Sequence, residues 1–256
     1  MRTVLLAALA AAAVQAQPDT RARFEAVSVK PSTGPEPQVI YRPYPPGKVN
    51  LTHSRLKNII TEAYGVQRFL VFGGPGWLDT DPYDIVGELP AAVPPPPISK
   101  SYEALQVLLE DRFKLRVHWE SRVMPLYYLT IAKGGTKLVD GAELPDDVQG
   151  GYRNRDTIRV VRRKEPLSSI LAFLSSGFGM PIEDRTGLTG TYSFVLLIHL
   201  ESAPAPSATE TPQAADDPNN SAVIAALRTQ LGLNLEKGKG PVRVLVIDSA
   251  DRPAAN

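Results

Sequence analysis

Apolar residues recur at helical spacing in four segments of the chain. In each segment they fall near positions i, i+3, i+4 and i+7, so that they share one face of a helix. The residues that define the four predicted helices are Leu56, Ile59, Ile60, Ala63 and Tyr64; Tyr102, Leu105, Leu108, Leu109 and Phe113; Leu167, Ile170, Leu171 and Leu174; and Ile224, Leu227 and Leu231. The expected limits are Ser54 and Gly65, then Ser101, then Pro166 and Gly177, and finally Ser221 and Gly232.

Apolar residues that alternate with polar ones predict β-strands between the helices. Three such groups are Leu115, Val117 and Trp119; Tyr127, Leu129 and Ile131; and Val242, Val244 and Val246. Amphipathic helices packed on small sheets form an α+β arrangement, which is the fold class we expect. Two proline-rich stretches, residues 89–99 and 202–220, are expected to be loops, and the second to be mobile because it lacks periodic apolar residues.

The order of these elements repeats in the two halves of the chain. The segment Leu56–Ile60 resembles Leu167–Leu171, and Tyr83–Val86 resembles Tyr192–Val195, at offsets of 111 and 109 residues. We therefore expect two tandem copies of a strand-helix-strand-strand-helix-strand-strand unit that form a pseudo-dimer with a groove between them. The expected division is a first α+β repeat at residues 17–135 and a second at 136–256, with residues 1–16 as a leader.

The amino terminus has the form of a secretory signal peptide. Arg2 precedes an apolar run, Val4–Val14, that is too short for a permanent membrane span, and Ala16 supplies a small residue at the cleavage position. We expect cleavage after Ala16 and a periplasmic or extracellular protein with no membrane span after that cleavage. A retained membrane anchor is the alternative.

Composition narrows the chemistry that is available. The chain has no cysteine, so neither disulfides nor thiolate metal sites can form. The net charge of +1 gives no reason to expect a nucleic-acid partner. His53, His118 and His199 are the only histidines, and none has a metal-ligating partner at zinc-protease spacing. We expect no metal and no cofactor.

The strand that follows the second predicted helix offers one cluster with possible chemistry. If residues 114–122 form a strand, Arg116, His118, Glu120 and Arg122 share one face. A histidine beside a carboxylate can perform acid and base catalysis, with the arginines holding an anionic substrate. The alternative is a solvated strand face with ion pairs between neighbours.

Two further features suggest binding, and each has a structural alternative. A basic run from Arg153 to Lys164 could hold an anionic polymer, or could keep an edge strand soluble. Trp77 and Tyr83 could stack on a sugar or peptide, or could belong to the core.

Several motifs carry a family resemblance that spans nearly the whole chain. They are Phe24–Pro31, Ala63–Gly65, Gly73–Asp79, Tyr83–Ile85, Asp111–Leu115, His118, Glu120, Pro125, Tyr127, Asp184–Gly190 and Val244–Asp248. The chain resembles a family of secreted soil-bacterial proteins that carry a soil-associated domain of unknown function. Some relatives join this domain to a membrane metallopeptidase of the antibiotic-sensor type, whose peptidase motif is not found here. More distantly, each half is similar to the short amino-terminal domain of secretins and TonB-dependent receptors, which implies a role in protein contact and signalling.

These observations favour a non-enzymatic binding module that uses Trp77, Tyr83 or the cluster on the strand of His118, with no catalytic residues assigned. An envelope protein or a polysaccharide is the expected partner class. The alternatives are a hydrolase of an envelope or extracellular polymer, centred on His118 and Glu120, and a detached sensor domain related to membrane metallopeptidases.

Overall fold

The computed structural model of the protein describes residues 20–33, 45–92, 94–200 and 218–253. The predicted leader and most of the predicted loop at 202–220 lie outside these ranges. The strands are β1 (Ala26–Pro31), β2 (Lys48–Arg55), β3 (Val71–Gly73), β4 (Pro82–Glu88), β5 (Arg116–Ile131), β6 (Tyr152–Arg153), β7 (Thr157–Pro166), β8 (Ile182–Asp184), β9 (Thr191–His199) and β10 (Leu233–Ser249). The α-helices are α1 (Leu56–Tyr64), α2 (Ile98–Phe113), α3 (Leu167–Phe178) and α4 (Pro218–Ala226). This mixture of helices and sheets confirms the predicted α+β class.

The chain divides into two compact units. The first contains the described residues of 1–65, 75–116 and 249–256, and the second contains those of 66–74 and 117–248. Each unit is therefore assembled from separate stretches of chain, unlike the contiguous division at residue 135 expected from the sequence. The difference arises because β3 and nearly all of β5 belong to a sheet of the second unit.

The first unit contains an antiparallel sheet in the strand order β1-β4-β2, together with α1 and α2. The predicted apolar face of α1 is confirmed, because Leu56, Ile59 and Ile60 are fully buried. Gly65 ends this helix in the left-handed conformation, with φ of 61°. Glycine is the common residue at such helix ends because it has no Cβ to oppose a positive φ.

Two predicted helix starts are wrong. Arg55, the last residue of β2, is the N-cap residue of α1, and no side chain caps the helix, so Ser54 does not have the expected role. Helix α2 begins at Ile98, which places Ser101 inside the helix, where it is fully buried. Neither helix uses a hydroxyl cap, so the sequence signal for such a cap misplaced both starts.

The helices of the second unit follow the predicted pattern with two displaced limits, and one of them is the start of α4, which lies at Pro218 and not at Ser221. Helix α3 starts directly after Pro166, which is also the last residue of β7, and it ends at the left-handed Gly179 and not at Gly177. Helix α4 continues into a π-helical turn, Leu227–Leu231. That turn ends at Gly232, as predicted, with φ of 67°.

The second unit holds two sheets with strand orders β6-β7-β9 and β3-β10-β5-β8. The first sheet is antiparallel, whereas β10 pairs in parallel with β3 and β5 pairs in parallel with β8. Residues from both sheets and both helices meet in one core, in which Leu129, Leu196, Leu227 and Leu233 are at most 1% exposed. This core supports the strands and helices that form the site described next.

The strand pairs β2–β4 and β7–β9 share a local irregularity. Strand β2 shifts its register after Leu51, and β7 shifts its register after Arg162. Within each shift one non-glycine residue has a left-handed backbone, His53 with φ of 47° and Lys164 with φ of 50°. An L-residue in this conformation costs about 1–2 kcal/mol, so the surrounding structure must hold both residues in place.

Candidate functional site

A groove of about 650 Å³ opens in the second unit between the sheet β6-β7-β9 and the helices α3 and α4. Its volume lies within the range of roughly 300–1,000 Å³ that is typical of small-molecule sites. Apolar side chains that belong to the core or pack against it form the floor, among them Val160, Leu174, Phe178 and Ile198. Of the sixteen lining residues, three are arginines and none is an aspartate or a glutamate.

Strand alternation decides which side chains of β7 face this groove. Val160 is buried in the core, and Ile158 and Arg162 lie on the same side of the strand, two residues before and after it. In the pairing of β6 with β7, Arg153 lies opposite Ile158 and therefore on that same side. Arg153 and Arg162 thus flank a short apolar strip formed by Ile158 and Val160.

Arg159 is among the residues that line the groove, but its side chain and that of Arg163 alternate to the opposite side of β7, where they hold a loop. The guanidinium of Arg159 donates to the carbonyl of Gly150 at 3.0 Å, and that of Arg163 donates to the carbonyls of Pro145 and Val148 at 3.1 and 2.9 Å. Part of the basic run therefore has a structural role. Strand β6 pairs only with Ile158 and Arg159 of β7, so among the described residues the remainder of β7 has β9 as its one strand partner.

Phe173 is a large apolar side chain left in contact with solvent at the groove, with 42% of its surface exposed. The buried stripe of α3 runs through Leu167, Leu174 and Phe178. At about 100° per residue, Phe173 lies about 120° from Leu167 on the helix and so falls outside that stripe. Its ring instead faces the groove, and the guanidinium of Arg162 lies 4.4 Å from the ring centroid.

The structure brings His118, Glu120 and Arg122 of the predicted cluster together and adds a fourth member, Asp248 of β10. His118 Nδ1 lies 2.9 Å from Asp248 Oδ1, and its Nε2 lies 3.7 Å from Glu120 Oε2. Glu120 also forms an ion pair with Arg122. Among the residues that the structure describes, Arg116 makes no hydrogen bond or ion pair with this group and belongs to the first unit.

The electrostatics of this cluster favour a protonated histidine. The hydrogen bond to Asp248 raises the pKa of His118, and the charges of Asp248 and Glu120 add to that effect. The side chains of His118 and Asp248 are 49% and 47% exposed, so solvent screens their interaction. Both ring nitrogens of His118 face carboxylates, so the arrangement is that of a surface ion-pair network.

Trp77 and Tyr83 lie in the first unit. Tyr83 is only 3% exposed and packs edge-on against Phe113, with ring centroids 5.0 Å apart. Tyr83 is therefore a core residue and not a stacking surface. Trp77 is half-buried against Tyr83, and the guanidinium of Arg252 lies 5.1 Å from its ring centroid.

The described residues contain neither a metal-binding group nor a membrane-spanning helix. No group of three or more histidine, aspartate or glutamate side chains there is arranged to hold a metal ion. No helix in the same ranges has both the length and the apolar character required to cross a membrane.

The sequence profile of a family described as a protein of unknown function, DUF3738, matches residues 57–250. The chain belongs to the DUF3738 family. No curated protein and no solved structure shows significant similarity to it.

The DUF3738 match includes every residue that lines the groove, and it also includes the cluster around His118. Membership of DUF3738 therefore does not decide between the two candidate sites, and the choice rests on their geometry. The groove is concave and apolar, whereas the His118 cluster is a half-exposed set of mutually paired charges on the strands β5 and β10.

Sequence reasoning missed the groove and Asp248. The groove depends on contacts between β7, α3 and α4, which no local pattern reveals. One signal was present, since Phe173 is a large apolar residue off the buried stripe of an amphipathic helix. Asp248 lies 130 residues from His118 in the sequence, and only the pairing of β5 with β10 brings the two together.

Proposed function

We propose that the protein is a non-enzymatic binding module and that the groove of the second unit is its ligand site. This proposal rests on one observation, which is that the exposed Phe173 lies beside a concave apolar site. Exposed apolar surface costs free energy in water, and where it lines a cleft it commonly marks a binding site. The apolar floor supplies affinity, and Arg153 with Arg162 supplies the polar contacts that orient a ligand.

The hydrolase alternative has weaker support. It places a general base at His118, but the hydrogen bond to Asp248 raises the pKa of this histidine and so favours its protonated form, which is not a base. Both ring nitrogens face carboxylates, so no nitrogen is directed at a substrate. A binding module is also consistent with the distant resemblance of each half to the contact domains of secretins and TonB-dependent receptors.

The binding module is proposed to consist of two tandem copies of one α+β unit. The register shifts in β2 and β7 support this, because the left-handed residues inside them, His53 and Lys164, are 111 residues apart. Each of these residues donates its backbone N–H to a side chain of its antiparallel partner strand, β4 or β9. His53 donates to Asp84 Oδ1 at 2.7 Å, and Lys164 donates to Ser193 Oγ at 2.9 Å.

The four-stranded sheet β3-β10-β5-β8 gives independent support for the duplication. In one parallel pairing Tyr127 of β5 lies opposite Ile182 of β8, and in the other Leu245 of β10 lies opposite Val71 of β3. Ile182 follows Val71 by 111 residues, which is also the offset between His53 and Lys164. In the proposed pseudo-dimer each copy therefore contributes a strand to the other through equivalent pairings.

Export is part of the proposal. A protein with a cleaved leader after Ala16 would meet its ligand in the periplasm or outside the cell, where envelope proteins and polysaccharides are the available partners. Amino-terminal sequencing of exported protein should begin at Gln17, and uncleaved protein recovered from the inner membrane would contradict this.

Binding of a neutral apolar dye such as Nile red tests the groove itself. We expect one saturable site, and we expect Phe173→Ser to weaken binding about tenfold, because burial of an aromatic side chain contributes roughly 1.5–3 kcal/mol. Trp119→Ser is the matched control. Trp119 is an aromatic residue of similar exposure, 38%, and it lies outside the groove.

Two results would contradict the proposal. One is the absence of saturable dye binding to the folded protein. The other is an equal loss of affinity in Phe173→Ser and Trp119→Ser, which would place the dye on general exposed surface.

A further inference from the structure

The charge of the groove extends the proposed function to a class of ligand. The inference rests on the proposed function, since it concerns the same groove. Two arginines, Arg153 and Arg162, face the groove from β6 and β7, and among the described residues no carboxylate lines it. A cleft with an apolar floor and a positive charge at one end is complementary to a molecule that is apolar along its length and negative at one end.

The two groove arginines differ in how far their charge is already neutralised. Arg162 is half-buried, stacks on Phe173, and lies 3.5 Å from the carboxylate of Glu165. Arg153 is exposed, and within the described ranges it has no acidic partner. Arg153 is therefore the stronger anion contact.

The spacing of these residues suits a ligand with an extended apolar part. Arg153 lies opposite Ile158, and Arg162 lies four positions after Ile158 along the strand. At about 3.3 Å per residue, this places the two charged ends roughly 13 Å apart along the strand, with Val160 between them.

Helix α4 adds to the preference of the groove for an anionic ligand. Asn220 and Val223, in its first two turns, line the groove. The amino-terminal end of a helix carries a partial positive charge, which favours anions nearby.

We infer that the groove binds an amphipathic carboxylate, with its apolar chain along Ile158 and Val160 and its carboxylate at Arg153. The ligand is of small-molecule size because the site is a concave groove of about 650 Å³. A guanidinium that pairs with a carboxylate forms a charge-assisted hydrogen bond, which is about twice as strong as a neutral one.

Dodecanoate and dodecanol test this inference, because they share an apolar chain and differ in charge. Each is used below its aggregation limit to displace Nile red from the protein. Dodecanoate should compete at least about tenfold more tightly than dodecanol, which corresponds to about 1.4 kcal/mol. This advantage should shrink at high salt.

Arg153→Gln should bring the affinity ratio of the two competitors close to one. Arg155→Gln is the matched control, since Arg155 is an exposed arginine two residues away that does not line the groove. Arg153 is exposed, so this variant is expected to fold, and its unfolding midpoint checks that it does.

The outcomes separate the inference from the proposed function. If both competitors displace the dye with equal affinity, or if Arg153→Gln retains the preference for dodecanoate, the inference is wrong and the groove remains a neutral apolar site. If the dye does not bind at a saturable site, the proposed function fails as well.

Discussion

Replacement of Gly232 by alanine tests how the second unit is held together at the end of the π-helical turn. Gly232 has φ of 67°, and a Cβ added there would collide with the backbone carbonyl oxygen of Gly135. The carbonyl oxygen of Gly232 also accepts a hydrogen bond from the N–H of Ala132 at 2.9 Å, and that of Leu231 accepts one from Lys137 at 2.9 Å. These two hydrogen bonds hold residues 132–137 against this helix end.

The expected cost of Gly232→Ala has two parts. The left-handed conformation costs an L-residue about 1–2 kcal/mol. Displacement of the Gly135 carbonyl would also break or weaken two backbone hydrogen bonds, at about 0.5–1.5 kcal/mol each. We therefore expect the free energy of unfolding to fall by about 3 kcal/mol.

Gly179→Ala is the matched control for this prediction. Gly179 ends α3 in the same unit with φ of 61°, but a Cβ at that position meets no atom within 4 Å. Only the conformational cost applies there, so we expect a loss of about 1 kcal/mol. Urea denaturation followed by the fluorescence of Trp119 measures both variants. Equal losses would refute the packing of residues 132–137 against Gly232.

Three further predictions follow from single contacts. Ser101→Ala should raise the free energy of unfolding by about 1 kcal/mol, because the Ser101 hydroxyl is buried without a hydrogen-bond partner, and a comparable loss in urea denaturation would contradict this. His118 should titrate in NMR spectra above its usual pKa, and Asp248→Asn should lower that pKa. The contribution of this pair to stability should be fully present below about pH 6.5 and lost as pH rises through the folded pKa; an unchanged titration in the variant would exclude the pair. Arg163→Ala should speed amide exchange in residues 144–148, whose carbonyls it holds, and unchanged exchange would show that the loop needs no such contact.

The sequence predicted helices well because their burial patterns are local. The apolar residues of α1 lie at helical spacing, and the structure buries them, while Gly65 and Gly232 end helices where expected. Helix starts were less predictable. Neither α1 nor α2 has a side-chain cap, so Ser54 and Ser101 carried a misleading signal.

Strand partners and the groove could not be predicted because they depend on long-range pairing. The alternation of β5 correctly placed His118 and Glu120 side by side, but nothing local indicated that Asp248 would join them. The basic run of β7 was visible in the sequence, but its division between the groove and a loop depends on which face each arginine occupies. The burial of Val160 in the core shows which arginines of β7 share its side and which lie on the other side.

Backbone NMR of the isotope-labelled mature protein, titrated with Nile red, tests the central claim most directly. Binding in the groove predicts saturable chemical-shift changes centred on residues 158–162 of β7 and 173–178 of α3, and no comparable changes around His118 and Asp248. Changes concentrated on β5 and β10 around His118, with the groove resonances unmoved, would contradict the assignment of the groove as the ligand site.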